Sequence, residues 1–172
     1  IIIFGAAANL VAGLVTMAFG LLDDKIGPKF VIMFCLVVLV VAELATFVLH
    51  QPGYALREGM EGYDAAVSGQ GHMLFWIIGL AASAVCGPAQ AAARSFLARV
   101  IPAGHSGEIF GLYTTTGRAI SFLSPLFAFI TVSIGTQVAG TEIAAQHWAG
   151  LGLAVVLAAG LIVMIPIKER QV

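Results

Sequence analysis

Two ionisable side chains lie inside long apolar runs of the sequence, where an unpaired charge is costly. Arg118 is about ten residues into the run 108–135, or about 15 Å along a helix. An arginine at that depth costs at least about 2.5–3.5 kcal/mol unless it faces a partner or a wet cavity. Its planar guanidinium would match a substrate carboxylate. A structural arginine would instead be satisfied by helix C-terminal carbonyls or by an acid on a neighbouring helix. Glu43, in the run 30–50, could carry a coupling proton, form a structural pair or lie exposed near the rim.

Three further positions could supply polar groups to a binding cavity. Gln90 is four residues before Arg94, so the two share a helical face, and the preceding Gly-Pro pair at 87–88 is expected to bend the helix and free backbone carbonyls. We expect Gln90 to face a cavity and Arg94, nearer the membrane surface, to reach lipid phosphates. Asn9 and the threonines at 114–116 are weaker candidates, because short polar side chains in a membrane helix commonly bond their own backbone.

A cluster of charges separates the first two apolar runs, in the sequence Gly20-Leu-Leu-Asp-Asp24-Lys25-Ile-Gly27-Pro-Lys29. Glycine serves where the backbone must bend sharply, and an acid beside a base leaves neither charge unpaired near lipid. An ordinary loop would also contain a few charges and a glycine. The residues alone therefore leave both interpretations open.

Catalytic and metal chemistry have little support in the sequence. The segment Gly104-His-Ser106-Gly107-Glu108 departs from the nucleophile elbow G-x-S-x-G at its last position, and it lies in a loop between two apolar runs. The histidines are far apart and lack the spacing of metal ligands. Three of them are predicted at outer helix ends, where interface anchoring is the simpler explanation: His50, His72 and His147. We therefore expect no catalytic residue, no metal and no other cofactor.

The composition shows which kind of element must position these residues. Hydrophobic residues make up 60% of the chain and charged residues 10%, with a mean hydropathy of +1.01, whereas a soluble domain carries about 25% charged residues. Lipid must therefore solvate most of the surface. The net charge of −1 gives no indication of nucleic-acid binding, since a phosphate-binding surface would need clustered Lys and Arg. Cys35 and Cys86, both in apolar runs, do not indicate a disulfide framework.

Five apolar stretches are long enough to cross about 30 Å of hydrocarbon as helices. The predicted spans are 1–22, 30–50, 73–100, 108–135 and 146–167. The two-residue alternation of a barrel is absent from all five. We therefore predict an all-α integral membrane protein with five transmembrane helices. Small residues recur every four positions on the first helix and predict a packing seam: Ala8, Ala12, Thr16 and Gly20.

The distribution of Lys and Arg predicts the orientation. If residues 23–29 are cytoplasmic, six of the eight basic residues lie on or near the inner side: Lys25, Lys29, Arg94, Arg99, Lys168 and Arg170. The opposite loop, 51–71, carries Arg57 and the acids Glu58, Glu61 and Asp64. The N-terminus is thus predicted outside and the C-terminus inside. Because the crossings are odd in number and the chain starts inside an apolar run, we expect it to be a piece of a longer protein.

The spacing G-x-x-x-D-K-x-G-x-K at 20–29 resembles the loop signature of the major facilitator superfamily, which occurs between helices two and three and again between helices eight and nine. The segments Gly87-Pro-Ala-Gln90 to Pro102 and Glu108-Ile-Phe110-Gly111-Leu-Tyr113 resemble helices ten and eleven of its vacuolar amino-acid effluxer-like branch. The resemblance covers residues 5–130. The pattern often has Ser at the position of Ala93 and Gly at that of Ser124, so the resemblance assigns no role to these two residues.

The resemblance implies that residues 1–172 form helices eight to twelve, in the C-terminal half of a twelve-helix transporter. It implies a secondary active transporter that moves a small solute, such as an amino acid, by alternating access with a proton gradient. Under this interpretation Arg118, Gln90 and Asn9 bind the substrate and Glu43 carries the coupling proton. The gating loop, whose aspartate contacts the opposite half in the superfamily, comprises Gly20, Asp24, Lys25, Gly27 and Lys29. A non-transporting membrane scaffold or sensor is the alternative interpretation.

The expected partners are the lipid bilayer, a small-molecule solute and the N-terminal half of the same transporter, and no nucleic acid. Without that half, the polar faces of Arg118, Gln90 and Asn9 would meet lipid or detergent, so we also predict self-association about a two-fold axis. The predicted location is a bacterial plasma (inner) membrane.

Overall fold

The computed structural model describes residues 2–49, 70–102, 104–140 and 145–167. These residues form six helical segments and no strand: α1 (Ile2–Ile26), α2 (Pro28–Leu49), α3 (Gln70–Val100), α4 (Ser106–Ile120), α5 (Leu123–Ala139) and α6 (Trp148–Met164). Several residues of the predicted orientation and interface sets lie outside the described residues: His50, Arg57, Glu58, Glu61, Asp64, Lys168 and Arg170. The side chain of His72 is also outside the described part.

The lengths and surfaces of these helices fit a bilayer. Four stretches are long and apolar enough to cross it, Ile2–Ile26, Pro28–Val48, Trp76–Val100 and Ser106–Val138, and the 17-residue Trp148–Met164 is a shorter apolar helix. Large apolar side chains point outward, and several are more than 60% exposed: Leu10, Met17, Phe129 and Ile162. Lipid is the solvent that accommodates such a surface. The predicted all-α integral membrane fold is confirmed.

The turn between α1 and α2 is shorter than the sequence suggested, because it consists of Gly27 alone. The predicted spans left residues 23–29 as a loop, but α1 continues to Ile26 and α2 begins at Pro28. Gly27 has φ +97°, a left-handed conformation that favours glycine, and its N–H closes the last turn of α1 on Asp23 O at 3.0 Å. Pro28 is tolerated at the first helical position, where its missing N–H costs nothing.

The fourth predicted span is interrupted in the structure. The helix stops at Ile120 and resumes at Leu123 as α5. Pro125 explains the position of the break, since a proline ring clashes with the carbonyl four residues earlier, here that of Ser121. The Ser121 N–H and hydroxyl both donate to Arg118 O instead, at 3.3 and 2.7 Å. Pro88, by contrast, lies within the continuous helix α3.

Helix α3 is the centre of the bundle and packs along both α1 and α2. Helix α2 also packs on α6, and α6 packs on α5. The buried core joins α2 to α3: Val31, Ile32, Cys35, Val85 and Ala92. Phe19 of α1 and Met164 of α6 border this core. The neighbours therefore follow the order α1, α3, α2, α6 and α5.

Glycines allow these helices to approach closely. A Cβ on Gly87 of α3 would meet Thr16 Oγ1 and would lie 3.2 Å from Ala12 O of α1, which confirms the predicted seam at those two positions. On α6, a Cβ on Gly152 would lie 2.6 Å from the Phe127 backbone of α5. In lipid, such close packing replaces the hydrophobic effect as the force that joins helices.

Aromatic rings gather at one end of the bundle, which we call the aromatic end. Phe4 of α1 and Trp76 of α3 pack edge to face with centroids 5.2 Å apart. Phe47 of α2 and Trp148 of α6 do the same at 5.4 Å. The two tryptophan rings are of the type that favours the boundary between lipid and water.

Candidate functional site

The opposite end of the bundle collects the charges of the predicted gating loop, and we call it the charged end. Arg99 Nη2 at the end of α3 lies 3.8 Å from Asp24 Oδ1 and donates to Asp23 O at 3.4 Å. These contacts tie the end of α1 to the end of α3. Because the Asp24 side chain is 80% exposed, the ion pair is worth at most about 1 kcal/mol. A contact this weak can open and close readily.

Lys29 makes a second tie at the charged end, between α2 and α6. Its Nζ donates to Ile165 O at 3.0 Å and to Ile167 O at 2.5 Å. These carbonyls follow the end of α6, where a cation is favoured by the helix dipole. Lys25 and Gly20, both on α1, are exposed. The five predicted loop residues therefore lie at one end, but the structure divides their contacts between two helix pairs.

Asp23 is a residue that the sequence reasoning did not single out. Its Oδ1 is buried and has no hydrogen-bond partner among the described residues, a situation that costs about 1–3 kcal/mol for a polar group. Asp23 precedes Asp24 by one position and so points to a different face of α1. The sequence offered only this offset between the two acids, which does not show which of them is buried.

The three predicted substrate-binding residues lie on three different helices. Asn9 of α1 is exposed and its Nδ2 donates to Gly5 O of its own helix at 2.9 Å. Gln90 of α3 is also exposed. Arg118 is exposed in the last turn of α4, and its guanidinium has no ion pair or hydrogen bond to any described residue. The described part of the chain therefore does not bring the three side chains together.

Helix α4, which carries Arg118, stands apart from the rest of the bundle. Every residue from 111 to 120 is exposed, and α4 makes no extended contact with the other described helices. An open groove of about 550 Å³ runs beside it. The groove is lined by Leu97, Ile109, Leu112, Tyr113, Thr116, Gly117, Ile120 and Ser121. Thr114 and Thr115 bond carbonyls of their own helix, as short polar side chains in membrane helices commonly do.

Glu43 lies on α2 and faces α6. A Cβ on Gly150, in the first turn of α6, would lie 3.1 Å from Glu43 Oε2 and 3.4 Å from Glu43 O. The carboxyl is half-buried and makes no hydrogen bond or ion pair with a described residue. Glu43 faces α6, whereas Asn9, Gln90 and Arg118 lie on α1, α3 and α4. The structure therefore does not place Glu43 with these three residues. The sequence analysis did not single out Gly150, whose lack of a side chain lets the Glu43 carboxyl lie against α6.

Within the described ranges, no group of three or more His, Cys, Asp or Glu side chains could hold a metal ion. Helices of bilayer-spanning length, a lipid-facing apolar surface and ionisable groups at one end and within the spans define a polytopic helical membrane protein. Over residues 1–140 the sequence matches the family described as Vacuole effluxer Atg22 like, and the chain belongs to that family.

A bacterial protein described as an MFS-type transporter shares a shorter region of similarity with the chain. The chain is 33% identical over 60 residues to the "Uncharacterized MFS-type transporter YxiO" of Bacillus subtilis (strain 168). The match covers 35% of this chain and 14% of that protein, so the chain spans a small part of its relative. No solved structure matches the sequence. The resemblance to the vacuolar effluxer branch of the major facilitator superfamily is confirmed.

Proposed function

We propose that the chain is part of a secondary active transporter that carries a small carboxylate-bearing solute, such as an amino acid, by alternating access. Membership of the effluxer family supports transport without chemical change of the solute. The observation behind the solute class is the interrupted span α4–α5, which has Arg118 directly before the break. Broken membrane helices commonly supply the binding groups of transporters, because backbone at the break can face a ligand.

The break offers two groups that suit a carboxylate. The guanidinium of Arg118 presents a planar fork that can bind both carboxylate oxygens. No side chain caps the start of α5, and a helix N-terminus favours an anion. We assign Gln90 and Asn9 to the polar remainder of the solute in a conformation that brings α1 and α3 toward Arg118 on α4, since the described arrangement keeps the three side chains apart. Asn9 would exchange its bond to Gly5 O for one to the solute.

The test compares two arginines in the complete transporter reconstituted in proteoliposomes. Arg118→Lys keeps the charge and loses the fork, so we expect the KM for an amino acid to rise about tenfold or more. Arg94→Lys, also exposed but on α3, is the control and should leave KM unchanged. An unaltered KM with a lowered melting temperature in Arg118→Lys would show that Arg118 has a structural role instead.

The charged end is proposed to act as the cytoplasmic gate, with Asp24 as its movable group. Support comes from the high exposure of Asp24 and its weak pairing with Arg99. A complementary half of the transporter would then compete with Arg99 for the Asp24 carboxylate. A membrane-impermeant maleimide on Lys25→Cys tests the orientation, because labelling from the periplasmic side of intact cells would refute it.

We also propose that the isolated chain self-associates in detergent, so that a second copy takes the place of the proposed N-terminal half. The exposed faces of α4 support this, since Arg118 there has no partner in the described part of the chain. Light scattering with the detergent mass subtracted should give a dimer or larger assembly without transport activity. A monodisperse monomer would contradict the proposal.

A further inference from the structure

The junction of α2 and α6 near the aromatic end contains two ionisable side chains. Glu43 and Phe47 are four residues apart, so they lie on one face of α2. Both face the start of α6, where Gly150 lies against the Glu43 carboxyl. The His147 ring packs on the Phe47 ring with centroids 5.4 Å apart. His147 therefore lies about one helical turn beyond Glu43, toward the aromatic end.

Apolar rings enclose this junction. Trp148 packs its edge on Phe47, with centroids 5.4 Å apart and planes at 84°. A Cβ on Gly135 of α5 would lie 2.5–2.8 Å from the Trp148 ring, so this ring also fills the contact between α5 and α6. Glu43 and His147 are both half-buried. Because the Phe47 and Trp148 rings cannot carry a proton, the Glu43 carboxyl needs a neighbouring polar group to exchange its proton with water.

The other ionisable side chains on the helices around α2 lie elsewhere. Those of α1 are Asp23, Asp24 and Lys25, all at the charged end. On α3, the described basic residues are Arg94 and Arg99, near the same end, and the remaining described titratable group is Cys86. On α6 and the turn before it, the described titratable group facing α2 is His147. Cys35 of α2 lies in the core two turns away.

We propose that Glu43 and His147 form a proton-exchange site at the α2–α6 junction, with a proton as its ligand. A hydronium ion in the water at the aromatic end protonates the His147 imidazole and leaves a water molecule. The imidazolium then passes its proton through an intervening water molecule to the Glu43 carboxylate, which leaves a neutral imidazole and a neutral carboxylic acid, and release reverses these steps. The coupling of this proton to solute movement rests on the proposed transport function.

In this assignment the proton and the solute bind at different places in the bundle. Helix α6 packs on α2 and α5, whereas Asn9 and Gln90 lie on α1 and α3. Protonation of Glu43 would therefore affect the solute-binding residues on α1 and α3 indirectly, by changing how α2 packs against α6. Gly150 is the sensitive point of that contact, because a larger residue there would press on the carboxyl.

The site can be tested without any solute, on the complete transporter in proteoliposomes. Infrared spectroscopy would follow the C=O band of a protonated carboxyl after a pH jump on the outer side. We expect Glu43→Gln to remove a pH-dependent component of that band. His147→Gln should slow its appearance by about tenfold or more. His105→Gln, an exposed histidine at the charged end, is the matched control and should behave as the wild type.

Two results would overturn the site: no pH-dependent band that depends on Glu43, or a wild-type rate in His147→Gln. Gly150→Ala provides a second test, since its Cβ would lie 3.1 Å from Glu43 Oε2. It should shift the midpoint of the band, whereas Gly160→Ala, whose Cβ meets nothing within 4 Å, should not. Equal midpoints in the two variants would contradict the assignment.

A transport experiment separates this site from the proposed function. Glu43→Gln should abolish accumulation driven by a proton gradient while solute exchange across the membrane continues. If Glu43 and His147 pass the infrared test but no amino acid or other small carboxylate is transported, the site stands and the transport proposal fails. If transport occurs with an unaltered pH dependence in Glu43→Gln, the coupling role fails.

Discussion

Replacing Gly152 by alanine tests whether the close contact of α5 and α6 holds the bundle together. The new Cβ would lie 2.6 Å from the C and O atoms of Phe127 and 2.7 Å from Ala128 N. Since these are backbone atoms, no rotamer change can relieve the clash. Ordinary contact begins at 3.4 Å, so α6 would have to move away by about 0.8 Å along its tightest seam.

Overpacking of this kind typically costs about 1–3 kcal/mol. Alanine also gains about 0.5–1 kcal/mol over glycine within a helix, so the net loss for Gly152→Ala should be about 0–2.5 kcal/mol. Gly160→Ala supplies the control, because it offers the same gain in helix propensity and its Cβ meets nothing within 4 Å. That variant should be as stable as the wild type or slightly more stable.

The assay is thermal unfolding in detergent, followed by circular dichroism of the helical signal. Gly152→Ala should melt several degrees below the wild type, and Gly160→Ala at or above it. If Gly152→Ala melts together with Gly160→Ala, then the backbone contact between α5 and α6 does not determine stability, and the reasoning from close packing is wrong.

Three further predictions concern the charged end and the interrupted span. Asp24→Asn should impair transport by the complete transporter while membrane insertion stays intact, and wild-type transport rates would refute the gate. Lys29→Met removes two hydrogen bonds to the carbonyls after α6 and should cost about 1–2 kcal/mol in thermal unfolding. The exposed Lys25→Met should cost almost nothing, and equal losses would argue against the tie. Pro125→Ala should let α4 and α5 join into one straight helix, so the distance between spin labels on the two segments should lengthen in electron paramagnetic resonance; an unchanged distance would mean that proline does not cause the break.

The sequence determined the helical membrane class because that class depends on local quantities. A run of about 20 apolar residues must form a helix in lipid, whatever its neighbours are. The predicted runs and the observed helices overlap for this reason, apart from the break after Ile120 and the one-residue turn at Gly27. The family signatures at 20–29 and 87–113 are likewise contiguous strings. The packing seam at Ala12 and Thr16 was predicted from the four-residue spacing of small residues on one helix.

Helix boundaries were predicted less well where the local chemistry was ambiguous. Charged residues such as Asp24 and Lys25 suggested a loop, but charged residues also occur in the last turn of a helix, as they do here. The left-handed conformation of Gly27 confines the turn to one residue. Pro88 and Pro125 both lie in predicted spans. Only the second coincides with a break, at Ser121.

The tertiary structure alone decided which side chains meet. Glu43 could have faced solute, lipid or another helix by its sequence position, and it faces Gly150, more than a hundred residues away in the chain. Lys29 reaches the carbonyls after α6, and Arg99 reaches Asp24, because helix ends converge at one side of the bundle. In lipid, helix pairing is set by the close fit of small residues distributed over the chain. No single stretch of sequence contains that information.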